Sequence, residues 1–215
     1  GCTLLKELNY LGDAESWCRI SGLTHLRTCY LGYSYFVRSV TFNGALLAGE
    51  IVIPSDVEAI PDYAFADMPD ITRVTVSNGV KTIGENAFYK CSGMTSVVIP
   101  GSVTSIGSDA FNDCGSLSTI IYNGDISSWC NLSGVDNLRV NNASISFNAT
   151  GGNGTLVIPD SITEINDRAF EYFGGIRSVI VPEGVTSIGD YAFRGCYDVT
   201  SVELPDSLKY IGSYA

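Results

Sequence analysis

The string "SVTSIGSDAFNDC" at Ser102–Cys114 returns along the chain with small changes, and that return constrains the fold more than any other feature. It reads "VKTIGENAFYKC" from Val80, "ITEINDRAFEYF" from Ile162 and "VTSIGDYAFRGC" from Val185. The Ala-Phe pair stands at Ala64-Phe65, Ala87-Phe88 and Ala110-Phe111, then at Ala169-Phe170 and Ala192-Phe193, in steps of 23 residues within each run. Pro159, Pro182 and Pro205 keep the same step, as do Pro54 and Pro100 across a copy where Ser77 replaces the proline. A fixed period of this size is the signature of a stacked repeat whose units are completed by their neighbours.

Each unit reads as a strand, a stop and a return leg. In "MTSVVIP" the apolar Met94, Val97 and Ile99 follow L-x-x-L-x-L spacing, which leaves Thr95, Ser96 and Val98 on the other face. Pro100 ends the strand because it has no amide to give a ladder. The return leg supplies Val103, Ile106, Ala110 and Phe111, and Gly107 is expected to serve a tight or left-handed turn. Phe111 is large enough to fill the space between the two legs, and Ala110 lets the backbone come close. One such unit buries too little to offset the ordering of its own backbone, so stacking at about 4.8 Å per coil is expected to supply the stability.

A longer repeat lies behind the short one. "GDAESWCRISG" at Gly12 matches "GDISSWCNLSG" at Gly124, an offset of 112, and "SVTFN" at Ser39 matches "SISFN" at Ser144. In both copies the proline of "VIP" comes eleven residues after that Asn, too short an interval for a coil and suited to an antiparallel hairpin. The expected organisation is an insert-type segment over 1–48, three regular repeats over 49–117, a second insert-type segment over 118–154, and further repeats over 155–215, the last truncated. The chain opens on the Cys that closes a unit and shows no polar capping unit, so a stretch of a longer array is expected.

The unit seen in Val97–Cys114 closely resembles the BspA-like leucine-rich repeats, and "YNGDISSWCNL" and "VTFNGALLAGEIVIP" resemble spacers of bacterial members of that family. The resemblance implies a right-handed leucine-rich-repeat solenoid of α/β-type repeats, with a parallel sheet on the concave side, irregular or 3₁₀ segments on the convex side, and two Trp-containing inserts. It also implies secretion or surface display and adhesion to host matrix or to other cells.

Composition narrows the function classes independently. Hydrophobic residues make up 45% and charged residues 16%, as expected of a chain with a core. The net charge of -11, with no Lys/Arg cluster, argues against nucleic acid or an anionic membrane as partner. Apolar runs are strand-sized, so no insertion into a bilayer is expected, and no signal-peptide pattern is present. Catalytic, cofactor and metal sites are all expected to be absent. His25 is the only histidine, and its pairing with Cys29 across four residues is better read as packing or loop. Asp109, Asp113, Asp167 and Asp190 recur beside Ala-Phe, where Asx-turns and caps are preferred over calcium ligation. The seven cysteines contain no CxxC pair. Cys2, Cys91, Cys114 and Cys196 share one place in the unit and Cys18 and Cys130 another, so they read as buried apolar fillers. Trp17 and Trp129 are read as packing residues, with stacking on sugar rings as the alternative. The N-x-S/T sites at Asn131, Asn142, Asn148 and Asn153 read as a polar loop.

The remaining candidate is the outward strand face. Its partner-binding residues are Arg73, Thr75, Thr95, Ser96, Val98, Thr119, Ile121, Arg177, Ile180 and Glu203, rich in hydroxyls with apolar side chains between them. Thr also favours strands for its own sake. Two roles are weighed: a non-enzymatic binding module for a protein or glycan partner, and a spacer that displays another domain. Catalysis in a domain outside these residues is a third.

Overall fold

A computed structural model describes residues 7–20, 39–138, 143–147 and 154–215. The chain winds as a parallel β solenoid with few helices. Its principal sheet runs β4 (Gly49–Ile53), β6 (Ile71–Val76), β8 (Ser96–Pro100), β10 (Thr119–Asn123) and β11 (Ser144–Phe147). A second sheet of the same kind follows with β12 (Thr155–Val157), β14 (Ser178–Ile180) and β16 (Ser201–Glu203). Ahead of both, β1 (Glu7–Tyr10) pairs in parallel with β2 (Ser39–Phe42).

Each return leg carries a two-residue strand, so a second, narrower ladder runs beside the first. In the first block it is β5 (Ala59–Ile60), β7 (Thr82–Ile83) and β9 (Ser105–Ile106), and in the second block β13 (Glu164–Ile165), β15 (Ser187–Ile188) and β17 (Tyr210–Ile211). The rest of each return leg is hydrogen-bonded turn. Among the described residues the 3₁₀ segment, Val135–Leu138, belongs to the insert and not to a return leg.

The alternation in the sequence is what places the core. Ile51, Val74, Val97, Ile120 and Ile145 pair in register across the five strands, and each is buried. Ile53, Val76, Ile99 and Tyr122 form the next buried column. Phe65, Phe88 and Phe111 stack on one another at 5.3 and 5.4 Å between centroids, and Phe170 and Phe193 repeat the contact at 5.3 Å. Each buried Phe contributes about 1.5–3 kcal/mol by area, and its stacking about 0.5–1.5 kcal/mol more.

The backbone role of Gly107 differs from expectation. Its φ is not positive, and a Cβ there would lie 2.5 Å from the Glu85 amide nitrogen of the neighbouring coil. Glycine is present so that adjacent coils can touch. The left-handed position is taken instead by the residue before each Ala: Tyr63, Asn86, Asp109, Arg168 and Tyr191, with φ between 52° and 58°. That backbone is held by hydrogen bonds from coil to coil, such as Tyr63 N–H to Glu85 O at 2.9 Å and Asn86 N–H to Ser108 O at 2.9 Å.

The inserts explain how each run of coils begins. Asp13 accepts from the Ser16 amide at 2.8 Å and Asp125 from the Ser128 amide at 2.7 Å, capping two short helices, α1 (Ala14–Cys18) and α2 (Ile126–Cys130). Within a run, each Phe amide donates to the Ala carbonyl of the next coil: Phe65 to Ala87, Phe88 to Ala110, Phe170 to Ala192. Ala64 and Ala169 open their runs and have no preceding Phe. The indole Nε1 of Trp17 donates to Ala64 O at 2.6 Å, and that of Trp129 to Ala169 O at 2.8 Å. Tryptophan thus supplies the donor that the missing coil would have given.

The eleven-residue link forms the expected hairpin in the first block. Thr41 and Phe42 pair antiparallel with Leu46 and Ala45 of β3 (Ala45–Leu46) around Asn43 and Gly44, both with positive φ. Its counterpart, residues 148–153, lies outside the described residues, as do Cys2, His25, Cys29, Asn142, Asn148 and Asn153.

Candidate functional site

The strands place the outward residues in register. One column runs Glu50, Arg73, Ser96, Thr119 and Ser144, and the next runs Val52, Thr75, Val98, Ile121 and Ser146. Arg73 and Thr95 are exposed, while Thr75, Ser96, Val98, Thr119 and Ile121 are half-buried because neighbouring coils flank them at ladder spacing. These seven form one continuous surface. Arg177, Ile180 and Glu203 belong to the second sheet, where Ile180 pairs with Val157 on one side and Glu203 on the other. The ten residues therefore make two patches on two sheets.

Two residues were missed. Val52 and Val157 occupy the same place in their blocks and are 55% and 53% exposed, among the most exposed aliphatic side chains. The alternation that selects Val98 selects them too, in "EIVIP" and "TLVIP". Val52 joins Val98 and Ile121 on the first patch and Val157 joins Ile180 on the second, making both more apolar than their hydroxyls suggest.

Several hydroxyls at the strand starts bind the scaffold. Thr95 Oγ1 donates to Thr72 O at 3.0 Å, Ser118 Oγ to Thr95 O at 3.3 Å, Ser144 Oγ to Ser118 O at 3.1 Å and Thr200 Oγ1 to Arg177 O at 3.1 Å. Thr75 Oγ1 lies 3.5 Å from Glu50 Oε1, at the outer limit of a hydrogen bond.

The other candidate groups resolve into structural roles. Trp17 and Trp129 are each 1% exposed, which removes them as stacking platforms. Cys91, Cys114 and Cys196 donate their thiol S–H to the Phe65, Phe88 and Phe170 carbonyls at 3.0–3.1 Å, and Cys18 is buried as an apolar filler. Burial pushes the Cys18, Cys114 and Cys130 thiols up to about 12, leaving little thiolate for redox chemistry. Asp167 and Asp190 do not form local Asx-turns. Asp167 Oδ1 accepts from the Asp190 amide at 2.8 Å and Asp190 Oδ1 from the Ser213 amide at 2.6 Å, each tying one coil to the next. Asp109 and Asp113 sit in left-handed backbone. Asn131 caps α2 at its C-terminus, its amide donating to Ser127 O at 2.8 Å. Among the described residues, no group of three or more His, Cys, Asp or Glu side chains is placed to hold a metal ion, and no helix is long and apolar enough to cross a membrane.

The model of the BspA type leucine rich repeat region matches residues 35–133 and 143–215 in six copies. The chain belongs to that family. The chain is also similar to solved structures of leucine-rich repeat proteins. A T. pallidum leucine rich repeat protein is 25% identical, with 76% of this chain and 72% of that one covered and a TM-score of 0.42. A leucine rich cell surface protein from Faecalibacterium prausnitzii is 26% identical, with 80% and 47% covered and a TM-score of 0.42. A leucine-rich repeat protein from Bacteroides ovatus is 21% identical, with 81% and 48% covered and a TM-score of 0.39. The chain spans about half the length of the last two. No curated protein matches it.

Proposed function

We propose that this chain is a non-enzymatic, secreted or cell-surface binding module that recognises a protein or glycan partner through its outward strand face. The observation that carries the reading is the in-register column Val52, Thr75, Val98 and Ile121, three aliphatic side chains and one hydroxyl, beside Glu50 and Arg73 of the next column on a scaffold with fixed spacing. Parallel rows at a constant pitch suit an extended partner, and solenoid surfaces of this kind are used that way. Membership of the BspA-type family supports surface display and adhesion.

One observation favours a spacer. The strand-start hydroxyls are engaged by backbone carbonyls of the preceding coil, so part of the hydroxyl richness serves the ladder. The test is a screen of the chain against immobilised matrix proteins and a glycan array at physiological salt, beside an Arg73→Glu/Val98→Asp double variant of unchanged melting temperature. Saturable binding lost in the variant supports the strand face. Binding that survives it places recognition elsewhere on the solenoid, and no binding across the panel leaves the spacer.

A further inference from the structure

Among the described residues, the narrow ladder has one rung fewer than the wide one at the second insert. On the wide side the coil after β10 supplies β11, so that sheet has five strands. On the narrow side Ser133 follows β9 as the last rung, its amide donating to Thr104 O at 3.0 Å and its carbonyl accepting from Ile106 N at 2.9 Å. The next rung of the narrow side is β13, which starts a new ladder. Asn148 and Pro159 stand eleven positions apart, against the 23 of a full unit.

A groove of about 570 Å³ lies at that place, with Ser133 and Asp136 on one wall and the β13 coil on the other. The lining continues past β13 along the in-register column Glu164, Ser187 and Tyr210. Throughout these ladders a coil donates to the coil before it at two fixed positions: Lys81 N to Glu58 O and Gly84 N to Ile60 O, Thr186 N to Thr163 O and Gly189 N to Ile165 O. In the β13 coil those positions are Thr163 and Asn166. Among the described residues neither amide has an acceptor. The first block differs, because Pro61 holds the place of Asn166 and has no amide to offer.

Asp136, Glu164 and Asp167 line the groove, and the guanidinium of Arg168 is turned to Glu171 at 3.3 Å and over the Tyr191 ring. The lining favours a cation. A residue in a sheet occupies about 3.3 by 4.8 by 10 Å, or about 160 Å³, so the whole groove holds about three to four residues in extended form. We infer that this slot takes up an extended peptide segment bearing lysine or arginine, which adds the missing rung between Ser133 and β13 and receives the Thr163 and Asn166 amides on its carbonyls. It is strand addition of the kind used by other sheet-edge receptors, here in an internal gap of the solenoid and away from the outward strand face.

The test uses the whole chain and two fluorescein-labelled pentapeptides, acetyl-Thr-Lys-Val-Lys-Thr-amide and its counterpart with glutamate for lysine. Anisotropy should show the basic peptide binding at least tenfold more tightly, with an affinity that falls as salt rises. Asn166→Pro, which copies Pro61 of the first block, should weaken it at least tenfold with the circular dichroism spectrum unchanged, and Arg73→Glu/Val98→Asp should leave it intact. Hydrogen exchange on the unmodified chain gives a second readout: saturating peptide should slow Thr163 and Asn166 at least tenfold and leave Thr186 and Gly189 as they were. Equal binding of the two peptides overturns the inference. So does full binding by Asn166→Pro, loss in the strand-face variant, or Thr163 and Asn166 exchange that is unmoved by peptide or already as slow as Thr186.

Discussion

Replacing Trp17 by phenylalanine isolates the single hydrogen bond with which the first run of coils begins. Phenylalanine keeps an aromatic ring against Tyr10 and Phe42, whose centroids lie 5.2 and 5.5 Å from the indole, but it has no N–H for Ala64 O. A buried acceptor stripped of its donor costs about 1–3 kcal/mol. The smaller ring leaves a void, and at about 24 cal/mol per Å³ a residual cavity of about 40 Å³ adds about 1 kcal/mol. The expected loss is about 2–4 kcal/mol, confined to the first run because stacked repeats are coupled mainly to their neighbours. Native-state hydrogen exchange resolves this better than a global melt. At about 1.4 kcal/mol per factor of ten, the Phe65 and Ala66 amides should exchange roughly 30- to 700-fold faster, with Val179 of the second sheet unchanged. Acceleration below about threefold, under 1 kcal/mol, would refute the claim that the indole replaces the missing coil's amide.

Gly107→Ala should destabilise the chain by about 1–3 kcal/mol, since its Cβ meets the Glu85 amide at 2.5 Å, whereas Gly115→Ala, with open space around it, should stay within about 0.5 kcal/mol; urea midpoints compare the two. Asp125→Ala should cost about 0.5–2 kcal/mol through loss of the α2 cap, read by urea denaturation. Bonds from Ser128 hold the Asp125 carboxyl below its ordinary value of 3.8, so the capping contribution is present above that value and is lost as pH falls through the lowered one, which a pH series on wild type and Asp125→Asn tests. The Cys18, Cys114 and Cys130 thiols work in the opposite sense: their folded values near 12 exceed the ordinary 9.0, so the stability they contribute is complete below about pH 9 and is lost between about 9 and 12. Thiol labelling at pH 8 should be slow in buffer and fast in urea, and equal rates would contradict their burial.

The sequence makes the repeat, the strand faces and the thiols legible because each repeats one residue type at one position. Val97 and Phe111 face inward as their spacing requires. Gly107 is a different case. Glycine answers both to a left-handed φ and to a close approach, and a string of letters does not separate the two. The residues that do take left-handed backbone, from Tyr63 to Tyr191, share no composition, so nothing flags them. The partners of Trp17 and Asp167 lie 47 and 23 residues away, so their roles require the stacked coils themselves. Val52 and Val157 were within reach of the alternation, and the missing rung was present in the eleven-residue link as a count whose spatial meaning depends on two ladders lying side by side.

The tryptophan at the head of each run also bears on inheritance. Cutting a run of coils from the array exposes the Ala carbonyl at its head, and a run that arrives with its own Trp donor keeps that carbonyl bonded. The segment from one Trp-bearing helix to the next carries that donor and the hairpin link with it. Gene duplication or recombination can therefore copy, delete or exchange whole cassettes of this size, each bringing the donor for its own first Ala carbonyl.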